Sequence, residues 1–176
     1  MMTDSQTFKH LIQRLTRLEA EQAVRGCMNR YMYLCDNLDV GFNLDDLMVL
    51  FTDDAIWEGR GRRYGKSFGR HEGNNAIRGM FAKYTQPPAH FETNVHFLTS
   101  ELIDVHDDAQ SAAASWVLLQ TSTFSGGKSQ LSSARLNVQF RCAKEQWQIS
   151  HFQTESLFNR PVHTPWDNPA DLPVPK

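Results

Sequence analysis

The sequence predicts an α+β fold, with N-terminal helices held in the concavity of a strongly curved mixed or antiparallel sheet, a cone-shaped α+β barrel. Three observations carry this. Apolar residues recur at helical spacing in the first half of the chain. After residue 90 they alternate in twos, and turn signals at hairpin spacing separate the later runs.

The elements follow in order. Residues 8–38 read as helix, broken at most once, because Val24, Cys27, Met28, Tyr31, Leu34, Cys35 and Leu38 form one apolar stripe. NLDVGFNLDD ends it, with Gly41 as punctuation. Asn43 or Asp45 then caps a short helix containing Leu47, Met48 and Leu50. AIWEG is a short strand. GRGRRYG departs from GxGxxG spacing and reads as a loop or hairpin. GRHEGNNAIRGMFAKY is an amphipathic helix ended by Pro87 and Pro88. VHFLTSELIDV, AQSAAASWVLLQTSTF, LSSARLNVQFRCA and WQISHFQTES form an antiparallel meander. Its turns fall at His106-Asp107-Asp108, Gly126-Gly127 and KEQ. Residues 159–176 hold five of the seven prolines and read as an extended tail, expected to pack across the cone mouth or onto a neighbour. No repeat or linker interrupts the chain, so residues 1–176 read as one domain with its core over about residues 8–158.

Composition narrows the function. With 176 residues, 40% hydrophobic and 11% aromatic, the chain is long enough for a sizeable core. The net charge of −2 and the lack of a basic stripe argue against nucleic acid. No apolar run approaches a membrane span, and MMTDSQTFKHLIQRL lacks the apolar stretch of a secretion signal. Cys27, Cys35 and Cys142 are odd in number and form no CxxC, which suits reduced thiols in the cytoplasm. No spacing of His, Cys or carboxylates suggests a metal, and no motif requires an organic cofactor. GxSxG is absent.

RYMYLCDNLD, LFTDDAIWEG, YGKSFGRHEGNNAIRGMF and HFLTSELIDV occur in that order, followed by WQISHF. In these residues the chain resembles the SnoaL-like branch of the nuclear-transport-factor-2-like superfamily of α+β cones. The resemblance spans roughly residues 11–155. The superfamily holds dehydratases, a dehydrochlorinase, isomerases, cyclases and non-catalytic domains, so the fold does not assign a reaction. In the dehydratase and dehydrochlorinase branch, an Asp ending the first long helix pairs with a His opening a strand. The resemblance implies that these are Asp36 and His96. It also implies Tyr31, five residues before the Asp, as a third catalytic group, and His151 as the basic residue of the last strand. Two departures stand out. Ser100 replaces an Asn that often follows the His motif, and His151 stands where bile-acid dehydratases carry an arginine.

The chemistry of such a pair is simple. A neutral imidazole takes a proton from carbon beside an activating group. A carboxylate on its other nitrogen fixes the tautomer and stabilises the imidazolium. The imidazolium then protonates a leaving group on the same face, and a tyrosine hydroxyl steadies an oxyanion.

Periodicity alone gives plainer readings. Asp36 lies about 140° around the helix from Tyr31, which suits a solvated charge. Tyr33 lies only about 60° from Asp36 and is the nearer neighbour by geometry. Tyr31 equally fits core packing, and the plain reading of His96 is a satisfied structural histidine. His151 shares strand parity with Trp147 and Ile149 and should face the same side. Tyr33, Trp57, Trp116 and His151 are candidate substrate-binding residues, with Phe97 and Phe152 as further wall candidates. The expectation is a cofactor-independent lyase of the dehydratase type acting on a hydrophobic small molecule. The alternatives are an isomerase or cyclase of the same fold, and a non-catalytic binding domain. An uncovered outer sheet face also predicts a homodimer or homotrimer.

Overall fold

The computed structural model describes residues 4–163. A long helix, α1 (Asp4–Asp36), is followed by the short α2 (Asp45–Met48), then β1 (Phe51–Arg60), α3 (Gly61–Ser67), β2 (Arg70–Glu72) and α4 (Asn74–Phe81). Four long strands complete it: β3 (Phe91–Val105), β4 (Ser111–Phe124), β5 (Ser129–Ala143) and β6 (Gln146–Val162). They form one six-stranded mixed sheet in the order β2-β1-β6-β5-β4-β3. Among the described residues only the β1–β6 pair is parallel. Among the described residues no helix is long and apolar enough to cross a membrane.

The C-terminal half of α1 lies in the concavity. Val24, Met28, Tyr31, Leu34 and Cys35 are buried there against Leu136, Val138, Ile149 and Phe152 of the sheet. Asn43 accepts the Asp45 N–H at 3.1 Å, which starts α2 where the sequence places it. Lys144 and Glu145 both take positive φ, as a tight hairpin between β5 and β6 requires.

Bulges curve the sheet and reverse side-chain parity. On β3, the register shifts between Thr99 and Leu102, with Ser100 at φ 51°. On β6, Gln139 faces His151 while Phe140 faces Ile149, so Ser150 is an extra residue. Leu157 is extra in the same way, between the partners of Ser133 and Ala134.

Three expectations are corrected. GRHEGNNAIRGMFAKY is not one helix: Arg70–Glu72 pair with β1 as β2, and α4 begins only at Asn74, after Gly73 at φ 82°. GRGRRYG is not a loop: residues 61–67 form α3. Tyr64 and Phe68, one helical turn apart, meet edge to face with ring centroids 4.8 Å apart and pack on the core, which supplies the apolar face that holds this short helix. Residues 159–162, expected in an extended tail, belong to β6 instead. Asn159, Arg160, Pro161 and Val162 continue β6 and pair with Ser132, Leu131, Gln130 and Ser129. The remaining tail, and the expectation that it covers the cone mouth, lie outside the described residues.

Candidate active site

The last turn of α1 is buried over a wide arc: Tyr31, Met32, Leu34 and Cys35 are all buried. Asp36 sits at the margin of that arc, and its carboxylate turns onto β3. Its Oδ1 accepts the His96 backbone N–H at 3.0 Å and lies 2.5 Å from His96 Nδ1. The side chains are 23% and 12% exposed. With Nδ1–H donating to Asp36, the other ring nitrogen, Nε2, is left as an acceptor.

His96 forms part of the wall of a cavity of about 150 Å³. The wall is mainly aromatic and aliphatic, including Tyr31, Trp57, Phe81 and Phe152. Residues from β1, second in the strand order, and β3, at its far edge, meet there because the sheet curves. Trp57 and Phe152 stack nearly parallel, with ring centroids 5.5 Å apart. The Tyr31 hydroxyl accepts the Trp57 indole N–H at 3.0 Å. Burial pushes its pKa well up, so the hydroxyl stays protonated. Cys35 beside it is pushed up to about 12, first by burial and further by the Asp36 charge, against a hydrogen bond with Tyr31. It is a packed thiol rather than a nucleophile.

A polar chain braces this wall. Asn94 Nδ2 points to the Cys35 carbonyl at 3.4 Å, at the open end of α1. Asn94 Oδ1 accepts Gln120 Nε2 at 2.8 Å and the Ser122 hydroxyl at 2.9 Å. Gln120 Oε1 accepts the Ser132 hydroxyl at 3.3 Å. Asn94 and Gln120 are absent from the sequence reading. Asn94 is two residues from His96 and shares its face, a signal that strand parity offered. Gln120 is paired directly with His96, which only the register reveals.

Asp36, His96, Tyr31 and Trp57 thus converge. Four other candidates do not. Tyr33 is 58% exposed, with the Arg30 guanidinium 5.7 Å above its ring. It lies on the helix face away from the sheet, and its angular closeness to Asp36 brings it only to the outer side. Trp116 is buried elsewhere in the core, edge-on to Phe140, and donates to Glu101 at 3.2 Å. His151 faces outward because Ser150 breaks the parity assumed for it. Phe97 also points outward and is 49% exposed.

On that outer face His151 Nε2 lies 2.9 Å from Glu58 Oε1, which also accepts Gln153 Nε2 at 2.7 Å. Arg70 donates to Glu58 Oε2 at 3.1 Å. Burial alone raises the Glu58 pKa. The bonds from Gln153, His151 and Arg70, with the Arg70 charge, outweigh it and hold the carboxyl at about 2.

The open curved sheet packed over a helix, with an apolar cavity between them, defines the nuclear-transport-factor-2-like architecture. The chain belongs to the SnoaL-like domain family, whose pattern matches residues 16–153. It is similar to the hexachlorocyclohexane dehydrochlorinase LinA-type3 from Novosphingobium barchaimii LL02, at 16% identity and TM-score 0.72 over 89% of this chain and 99% of that one. A candidate scytalone dehydratase from Novosphingobium aromaticivorans DSM 12444 shares 16% identity at TM-score 0.69, over 88% and 98% of the two chains. A nuclear transport factor 2-like superfamily protein from Salmonella enterica serovar Typhimurium LT2 shares 16% identity at TM-score 0.65, over 80% and 92%. No curated protein sequence is significantly similar to the chain.

Proposed function

We propose that the protein is a cofactor-independent lyase that eliminates a leaving group from a small hydrophobic ring compound. The observation that carries this reading is an imidazole in the wall of a mainly apolar cavity, held through its Nδ1 by the Asp36 carboxylate behind it. His96 Nε2 takes a proton from carbon beside an activating group. The electron pair of the broken C–H bond forms the double bond as the neighbouring C–X bond breaks. The leaving group departs as halide, or as water when the imidazolium returns the proton to a hydroxyl. Asp36 holds the tautomer and balances the charge on the imidazolium. Tyr31 is the donor for an oxygen substituent of the substrate. Its oxygen accepts from Trp57 and its hydroxyl also bonds Cys35, so donation to the substrate replaces the Cys35 bond with a stronger one to an oxygen that gains charge.

The cavity size supports a narrow substrate range. An apolar cavity of about 150 Å³ encloses roughly one benzene-sized ring. A steroid nucleus would have to extend outside it. The dehydrochlorinase and the candidate scytalone dehydratase among its structural relatives support elimination as the reaction class. Cys27, Cys35 and Cys142 are all free thiols, which supports a reducing, cytoplasmic setting.

The test is to incubate the purified protein with single-ring and fused two-ring compounds carrying an acidic C–H beside a hydroxyl- or halogen-bearing carbon. Mass spectrometry should detect loss of water or hydrogen halide. The same compounds with His96→Ala should be unchanged. Equal product with and without His96 overturns the proposal.

A further inference from the structure

Helix α1 carries two apolar stripes on opposite sides. The buried one, through Val24, Met28, Tyr31 and Cys35, belongs to the cone. The second is formed by Phe8, Leu11, Ile12, Leu15 and Leu18, each between 47% and 66% exposed. At 100° per residue the two stripes are centred about 180° apart. The second therefore cannot reach the cone by a simple bend of the helix. Every residue from 4 to 19 is exposed, a rod of about 24 Å at 1.5 Å per residue. An isolated helix of that length is marginal in water without a packing partner.

The spacing specifies what kind of partner fits. Phe8, Leu11, Leu15 and Leu18 alternate in steps of three and four, the a and d positions of two heptads. Ile12 and Glu19 then fall at e, and Arg14 falls at g. In a parallel pair of such helices, each g position meets the e position five residues later on the other helix. Arg14 of each copy thus faces Glu19 of the other, twice by symmetry. Among the described residues neither Arg14 nor Glu19 has an ion-pair partner within its own chain. In the antiparallel alternative, Arg14 meets Arg14. The seam ends where the next a and d positions are Gln22 and Arg25, which bond to each other at 3.0 Å, and Arg25 also bonds to Glu101 at 2.8 Å.

We propose that residues 8–19 of α1 form a parallel two-stranded coiled coil with a second copy of this chain, projecting from paired cones. The charge complementarity selects a second copy, and the seam pattern selects the parallel arrangement.

Sedimentation of the full chain tests this at low salt. The unaltered protein should form a reversible dimer. The double substitution Leu11→Glu and Leu15→Glu should raise the dissociation constant at least about 100-fold. The melting midpoint of the cone should stay unchanged, because neither leucine packs on the cone. Arg14→Glu and Glu19→Arg should each weaken association roughly 3- to 10-fold, and combining them should restore it. A monomeric unaltered protein, a trimer, or a leucine variant of unchanged size overturns the proposal. Tighter association of Arg14→Gln alone, which relieves an Arg14–Arg14 repulsion, indicates antiparallel pairing and also overturns it.

Discussion

Asp36 Oδ1 bonds both the backbone N–H and the ring Nδ1 of His96, at 3.0 and 2.5 Å. One carboxylate oxygen therefore fixes the position of a β3 residue and the orientation of its ring. Replacing Asp36 by Asn keeps the shape but removes the charge that stabilises an imidazolium. Once a substrate is found, Asp36→Asn should lower kcat about 10²-fold or more. His96→Ala should abolish turnover while a product analogue still binds the apolar wall. Steady-state kinetics and calorimetric titration check the pair. Near-full activity in both folded variants would make the contact purely structural.

Tyr31 and Tyr33 face opposite sides of the same helix turn, one 3% and the other 58% exposed. If Tyr31 steadies negative charge on a substrate oxygen, Tyr31→Phe should cost roughly 10- to 10³-fold in kcat/KM. Tyr33→Phe should change it less than about twofold, because its hydroxyl is remote from the cavity. The reverse pattern would assign the role to the wrong tyrosine.

The architecture was legible because period and turn chemistry change together near residue 90. The helix bearing Asp36 and the strand bearing His96 were legible as elements, but helical periodicity alone placed Asp36 among solvated charges. Its contact with His96 depends on how the helix end sits against β3, which no local pattern encodes. Bulges are equally silent in sequence. Ser150 breaks no composition rule, yet it turns His151 from the inner to the outer face. Trp116 shares the inner face but packs against Phe140, so facing inward does not suffice to line the cavity. α3 was missed because its glycines and arginines mask the Tyr64–Phe68 spacing.

His151 provides a direct check on that bulge. Lying on the convex face against Glu58, it has no access to the cavity. His151→Gln should therefore leave kcat/KM within about twofold of the unaltered enzyme. Loss of turnover with unchanged stability would show that the residue acts in the site after all.

Glu58 should give the fold an acid-dependent component. Its carboxyl is held at about 2 in the folded protein, against an ordinary value of 4.5. Because the folded value is the lower one, the stabilisation is fully present above pH 4.5. It is lost as pH falls towards 2. Arg70 is 45% exposed, so screening by solvent reduces the contribution to about 2 kcal/mol. Glu58→Gln should flatten the stability profile between pH 4.5 and 2, measured by urea unfolding across that range. An unchanged slope would show that the cluster contributes no linked stability.

Gly59 and Gly26 should respond in opposite directions to the same substitution. A Cβ on Gly59 would lie 2.2 Å from the Tyr64 carbonyl oxygen and 2.6 Å from its carbon. These are backbone atoms of α3, so the helix itself must move. Tyr64 and Phe68 form part of the cavity wall, so the movement should reach the site. Gly59→Ala should cost about 1–3 kcal/mol of stability, the usual range for overpacking, and should also weaken binding of an aromatic ligand. Gly26 is exposed within α1, and a Cβ there meets nothing within 4 Å. Gly26→Ala should stabilise by about 0.5–1 kcal/mol through helix propensity, without altering ligand affinity. Thermal melts and ligand titrations of the two variants separate the effects. Equal stability of Gly59→Ala and the unaltered protein would mean that α3 yields freely, and that Gly59 is not what seats it against the cavity.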